Sequence, residues 1–106
     1  MSLLKFSALP ARPLFPGATG RYAHTEKMTL GEVDLAASAV VPPHSHPHDQ
    51  FSYVLAGHVE FTVGSETRVL GPGECAVVPG GTSHGARALT ACRILDAFAP
   101  VREDFR

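Results

Sequence analysis

The chain has 106 residues, enough for one domain with a modest core, and 44% of them are hydrophobic. Nine basic residues against ten acidic ones leave a formal charge of −1, which excludes the electrostatic footprint of a nucleic-acid binder or of a protein docking on anionic membranes. The apolar run within residues 1–9 is too short for a signal peptide or membrane span and Lys5 interrupts it, so a cytoplasmic location is expected.

In chain order, Pro10, Pro13 and Pro16 with Gly17 and Gly20 mark residues 1–20 as an irregular arm. Val33, Leu35, Ala37, Ala39 and Val41 recur at period two, which predicts one strand with a buried face, stopped by Pro42-Pro43. Further strands are predicted over 51–55 and 58–63, with Val59, Phe61 and Val63 on one side of the second. Gly64-Ser65 is a two-residue hairpin signal leading into a strand over 67–70. Gly71-Pro72-Gly73 and Pro79-Gly80-Gly81 bracket a strand over 75–78, and the last strands fall near 83–88 and 92–98. No window holds a sustained 3.6-residue period with caps, and no internal repeat is present. The pattern predicts an all-β sandwich or small barrel of the jelly-roll kind, in a single domain over residues 21–106.

The two cysteines, Cys75 and Cys92, lie in no Cys-x-x-Cys pair and read as free thiols packed in strands of a reduced protein. Six histidines are many for this length, and three of them fall at His44, His46 and His48. On an extended chain, residues two apart face the same way, so His44 and His46 can reach one ion, and Gln50 shares their parity with a neutral amide oxygen. His84 is far along the chain, yet distant strands of a barrel face one lumen. A lone His-x-His reads equally well as a surface polar patch. His48 competes with Gln50 for the ion, although Pro47 disturbs a regular strand there. His24 and His58 have no partner in sequence and read as ordinary strand or surface histidines.

His44-Ser45-His46, with Gln50 after three residues and Gly57 after six more, resembles the first motif of the cupin (RmlC-like) superfamily. Gly73, then Pro79 after five residues, Gly81 and His84 resemble the second. The resemblance implies a cupin barrel (a double-stranded β-helix) with one divalent transition metal, such as nickel, zinc, iron, manganese or cobalt, on His44, His46, Gln50 and His84. It also places the ligand at position 50 and leaves His48 as a contact outside the ligand set. Two positions depart from the pattern: Gln50 stands where many cupins carry glutamate, and Ala88 where an asparagine is common. Three imidazoles and a neutral amide leave the full 2+ charge on the centre, which favours Lewis-acid polarisation of an anionic, oxygen-rich substrate over oxygen activation.

Near the carboxy terminus, Asp96 and Phe98 share one strand face, opposite Leu95 and Ala97. An aspartate in an otherwise apolar strand is costly unless it faces a polar cavity, the alternative being a strand-end residue facing water. Arg102 follows a proline bend and can fold over the barrel mouth, a solvated tail arginine being the default. The stretch from His44 to Gly57 and the tail from Asp96 to Phe105 look very like KdgF-type cupins of pectin and alginate catabolism. That resemblance implies an enzyme converting 4,5-unsaturated monouronates to linear ketonised sugars. It implies Asp96 as proton shuttle, Arg102 as partner of the substrate carboxylate and Phe98 packed on the sugar ring. Two other classes stay open: a metal-dependent dioxygenase of a small enol-bearing molecule, and a non-enzymatic binding module for a sugar or other small ligand. The small core and proline-rich arm suggest a homodimer.

Overall fold

The computed structural model describes residues 2–106. Residue 1, the first of the expected arm, lies outside them. Ten strands follow in order: β1 (Arg12–Phe15), β2 (Ala18–His24), β3 (Thr29–Leu35), β4 (Val40–His44), β5 (Asp49–Ala56), β6 (Val59–Val63), β7 (Glu66–Leu70), β8 (Cys75–Val78), β9 (His84–Ala88) and β10 (Cys92–Ala99). Single 3-10 turns occupy Phe6–Ala8 and Glu103–Phe105. All strand pairs are antiparallel, in a six-stranded sheet β1-β2-β3-β10-β5-β8 facing a four-stranded sheet β4-β9-β6-β7. The all-β barrel expected from the turn spacing is what the chain forms.

Val33, Leu35, Val54, Phe61, Leu70 and Ile94 are buried between the sheets, each from the inward face of its strand. Above this apolar floor the same inward parity brings polar residues into register across the six-stranded sheet. One row runs Tyr22–Gly31–Asp96–Ser52 across β2, β3, β10 and β5, and the next runs His24–Thr29–Phe98–Gln50. Because side chains alternate strictly, residues far apart in sequence share one wall.

Two expectations need correction. Within the arm expected over 1–20, Arg12–Phe15 and Ala18–His24 form strands, and β2 pairs with β3 over its whole length. Pro13 is tolerated because β1 is the edge of its sheet, where a missing N–H breaks no central ladder. The period-two run from Val33 to Val41 is not one strand. It breaks at a turn closed by Ala39 N–H to Ala36 O, with Ser38 at φ 71°, so that β3 and β4 lie in different sheets. Alanine is small enough to keep the alternation through a turn. Pro42-Pro43 does not stop a strand but lies inside β4, another sheet edge, where the pairing with β9 shifts register.

Cys75 and Cys92 are both free, and Cys92 is buried with Sγ 3.1 Å from the His58 and Thr90 carbonyls. Among the described residues no helix is long and apolar enough to cross a membrane.

Candidate metal centre and cavity

His44 and His84 face each other directly across the β4–β9 ladder, and His46 leans in from the loop before β5. Their ligating atoms lie within 4.8 Å of one another. Each imidazole is pinned by a backbone carbonyl. His44 Nδ1 donates to Pro42 O at 2.9 Å, His46 Nδ1 to His48 O at 3.1 Å and His84 Nδ1 to Thr82 O at 2.9 Å. A proton held on Nδ1 leaves Nε2 as a lone pair, the tautomer a metal requires. Burial lowers the pKa of both His46 and His84, with Arg102 adding to it, so both imidazoles stay neutral and able to ligate.

The loop that presents these residues is itself tied down. Gly81 takes φ +81° and donates its N–H to His46 O at 2.8 Å, while Gly80 N–H reaches Asp49 Oδ1 at 2.8 Å. A Cβ on Gly80 would stand 2.3 Å from Pro47 O, so only glycine lets the β8–β9 turn approach the histidine loop this closely.

Two local features match a cation. His84 Nε2 is buried with no hydrogen-bond partner, a costly state for a lone pair unless something electrophilic meets it. His46 Nε2 stands 2.9 Å from Gln50 Oε1. With its single proton committed to the His48 carbonyl, a neutral His46 presents a lone pair to another acceptor. A cation between Nε2 and Oε1 satisfies both, and burial disfavours the imidazolium that would do the same. The donor set therefore fits one metal ion on the three histidines, and Gln50 Oε1 is aimed at the same place.

From Gln50 a side-chain relay leads away from the histidines. Its Nε2 donates to Ser52 Oγ at 2.9 Å, and Ser52 Oγ donates to Asp96 Oδ1 at 2.5 Å. Asp96 thus faces the barrel interior, as its parity with Phe98 predicts. Burial pushes its carboxyl up to about 6 against the pull of the Ser52 hydrogen bond and of Arg102. Tyr22 lies in the same row, and burial raises its phenol well above the usual value, with the Asp96 charge adding to the effect.

Arg102 is buried and shares with His84, Gln50 and Asp96 the lining of one cavity of about 230 Å³. Its guanidinium lies 4.7 Å from the Phe98 ring centre and 4.0 Å from that of Phe105. Nε and Nη2 already donate to the two Asp104 carboxylate oxygens, at 3.0 and 2.7 Å. The Nε–Nη2 edge is therefore filled from within the chain, which leaves the edge of Nη1 and the second Nη2 proton for another anion. Phe98 packs edge-on to His46, with ring centres 5.9 Å apart.

His48 lies outside the three-histidine group, and its carbonyl orients His46. His24 is not an isolated surface residue. Thr29 Oγ1 accepts the Arg102 N–H at 2.9 Å and lies 2.8 Å from His24 Nδ1, and His24 Nε2 donates to Phe105 O at 3.1 Å. Ser52, Tyr22, Thr29, Asp104 and Phe105 escaped the sequence reading. Ser52 was within its reach, two residues beyond Gln50 on the same face, and Asp104 and Phe105 lie two and three residues from Arg102 in the last turn, whereas Tyr22 and Thr29 join the site through pairing of remote strands.

A model of the cupin domain family matches residues 31–98. The pectin degradation protein KdgF of Dickeya dadantii strain 3937 is 37% identical over 75 residues, covering 69% of this chain and 68% of that protein. The solved structure of KdgF from Halomonas sp. superposes with a TM-score of 0.93 at 34% identity, over 100% of this chain and 99% of that one. An RmlC-like cupin from Shewanella frigidimarina NCIMB 400 gives a TM-score of 0.94 at 25% identity, over 100% of this chain and 96% of that one.

Proposed function

The chain belongs to the cupin family and is KdgF-like within it, and from that premise we propose that it is a metal-dependent enzyme converting 4,5-unsaturated monouronates to linear ketonised sugars. The observation that carries this reading is a half-buried carboxyl, Asp96, that lines the same cavity as the histidine cluster and an arginine. A proton shuttle, an anion partner and a seat for an electrophile are what the isomerisation needs in one place.

His44, His46, Gln50 and His84 would hold the metal, which supplies Lewis-acid polarisation of substrate oxygens when bound. The substrate is a cyclic hemiacetal whose ring oxygen is part of an enol ether beside a carboxylate. Arg102 would bind that carboxylate through the Nη1 side left free by Asp104, as a charge-assisted contact. Ionised Asp96 would take the proton of the hemiacetal hydroxyl at C1 as the bond from C1 to the ring oxygen breaks and C1 becomes an aldehyde. The electrons of that bond stay on the oxygen at C5 as an enolate. Asp96 would then return the proton to C4, leaving a ketone at C5, so the reaction is a net isomerisation. Phe98 packs against the ring and limits water, and a positioned acid/base of this kind contributes about 10²–10⁴ in rate.

Loss of the ultraviolet absorbance of an unsaturated uronate, followed with metal-loaded protein, tests the assignment. Turnover no faster than the uncatalysed rate refutes it, and an active enzyme whose Asp96→Asn and Arg102→Ala variants are equally fast refutes the residue roles.

A second reading draws on the cavity's inner end, where Val33, Leu35, Phe61 and Ile94 offer apolar surface to an arm or ring that a uronate lacks. A dioxygenase of a small enol-bearing molecule fits that surface and requires oxygen uptake on a redox-active metal. Saturable binding without turnover would instead indicate a binding module. We also infer a homodimer, supported by exposed Phe51, Tyr53, Leu55 and Val77 on the outer face of β5 and β8, and a cytoplasmic location, supported by the two free thiols.

A further inference from the structure

Gly20 and Gly31 stand in the interiors of β2 and β3, where a glycine weakens a strand relative to alanine. Neither adopts the positive φ that would demand glycine. What they provide is clearance: a Cβ on Gly20 would come within 2.5 Å of the Tyr22 hydroxyl, and one on Gly31 within 2.4 Å of the Tyr22 ring. The ring lies flat on bare backbone. Phe105 stacks on its other face at 4.4 Å with 23° between planes. Arg102 lies over Phe105 at 4.0 Å and also over Phe98, which touches His46. Sheet, Tyr22, Phe105 and Arg102 thus form one stack, and Phe98, edge-on to Phe105 with ring centres 6.1 Å apart, meets Arg102 from the adjacent side, next to His46. The carboxy-terminal turn that carries Phe105 is held in place by Arg12 Nη1 to Asp104 O at 2.6 Å and by His24 Nε2 to Phe105 O at 3.1 Å.

We propose that Tyr22 and Phe105 are positioning residues for the Arg102 guanidinium: Tyr22, seated on Gly20 and Gly31, fixes the level of the Phe105 ring, which with Phe98 clamps Arg102 from two adjacent sides so that its free edge meets an anionic group of the ligand. This rests on the reading of Arg102 as the partner of a ligand carboxylate. The ring face of Tyr22 is what matters, not its hydroxyl. A Tyr22 side chain standing elsewhere would let Phe105 sink toward the sheet and take Arg102 with it.

The test uses the full chain with its metal bound, labelled for detection of the Arg102 Nε–H resonance, and glucuronate as the anionic probe. The adjacent Phe98 and Phe105 rings give that proton a ring-current shift and shield it from solvent exchange. Tyr22→Leu and Phe105→Leu are expected to move the resonance, speed its exchange and weaken glucuronate binding about tenfold, the size expected of removing one aromatic face from a desolvated cation. In turnover, KM for the unsaturated uronate rises by a similar factor while kcat changes less. Tyr22→Phe restores all of these, which a general loss of packing through the hydroxyl would not predict. An Arg102 resonance unchanged in both leucine variants overturns the proposal, as does a shifted resonance with unchanged glucuronate affinity. If the parent protein binds no glucuronate and turns over no unsaturated uronate, the functional reading fails, and the Arg102 resonance alone then decides the clamp. Should Tyr22→Leu not fold, Phe105→Leu, at a half-buried site in the last turn, carries the same decision.

Discussion

The two walls of the barrel are built by different rules. The wall from β4, β9 and the loop between β4 and β5 holds its histidines through backbone carbonyls, each within two residues of the histidine it orients. The wall from β2, β3, β10 and β5 holds its functional groups through other side chains: Gln50 to Ser52 to Asp96, and Tyr22 to Phe105 to Arg102. Local pinning survives substitution elsewhere, whereas a chain of side chains transmits every loss along it. The first wall should therefore behave as an autonomous metal seat and the second as a cooperative unit.

The strongest way to break this comparison is to remove one member of each wall. His84→Ala should strip most of the metal, measured by elemental analysis of dialysed protein, and bring uronate turnover to background. Asp96→Asn should keep the metal at parent level and still lower kcat by about 10²–10⁴, the range of a lost acid/base. If Asp96→Asn empties the metal site as well, the walls are one network.

Metal removal probes the first wall by stability. An ion held by three histidines that the unfolded chain leaves apart would, at a concentration a hundred times its Kd, add about 2.7 kcal/mol. Chelation should lower Tm accordingly, and His84→Ala should show no further drop on chelation.

The difference between the walls also decides what could be read from sequence. His44, His46, Gln50 and His84 sit in two short motifs because backbone pinning and strand parity are local. Asp96 and Phe98 were legible for the same reason, as alternation within β10. Tyr22 was not, since its place depends on Gly31 of β3 lying between it and Asp96 of β10, and on two glycines whose sequence signature is that of a turn. Of the prolines that suggested an arm, Pro13 sits in the edge strand β1, where a missing N–H breaks no central ladder. Period two could not distinguish one strand from two, because the alanines around Ser38 fit either.

A smaller effect is expected in the pH dependence of stability. Burial raises the Asp96 carboxyl from 3.8 to about 6. Between those values the folded metal-free protein keeps a proton that the unfolded chain releases, so stability falls as pH rises through that window. Above it, Asp96→Asn buries no charge and should be more stable than the parent by several degrees in Tm, a gain that vanishes below about pH 4. Thermal melts of the two chelated proteins across this range check the sign, and an unchanging difference would place Asp96 in a solvated setting.

Ser52→Ala gives the smallest expected change and the sharpest cut, because Ser52 is the side chain through which Gln50 and Asp96 communicate. The hydroxyl holds the Asp96 carboxyl down against burial, so without it the acid limb of the uronate rate profile should move upward. Asp96 must be ionised to accept the hemiacetal proton, so turnover on the acid limb falls while turnover on the alkaline side holds. On the other side of the cut, Gln50 loses an acceptor for its amide but His46 keeps its carbonyl partner, so metal affinity should weaken by less than about tenfold. An acid limb that moves while the metal stays is the behaviour of two separately built walls joined by one hydroxyl. A collapse of metal affinity in Ser52→Ala would mean that the relay, and not the backbone, holds the histidine wall in place.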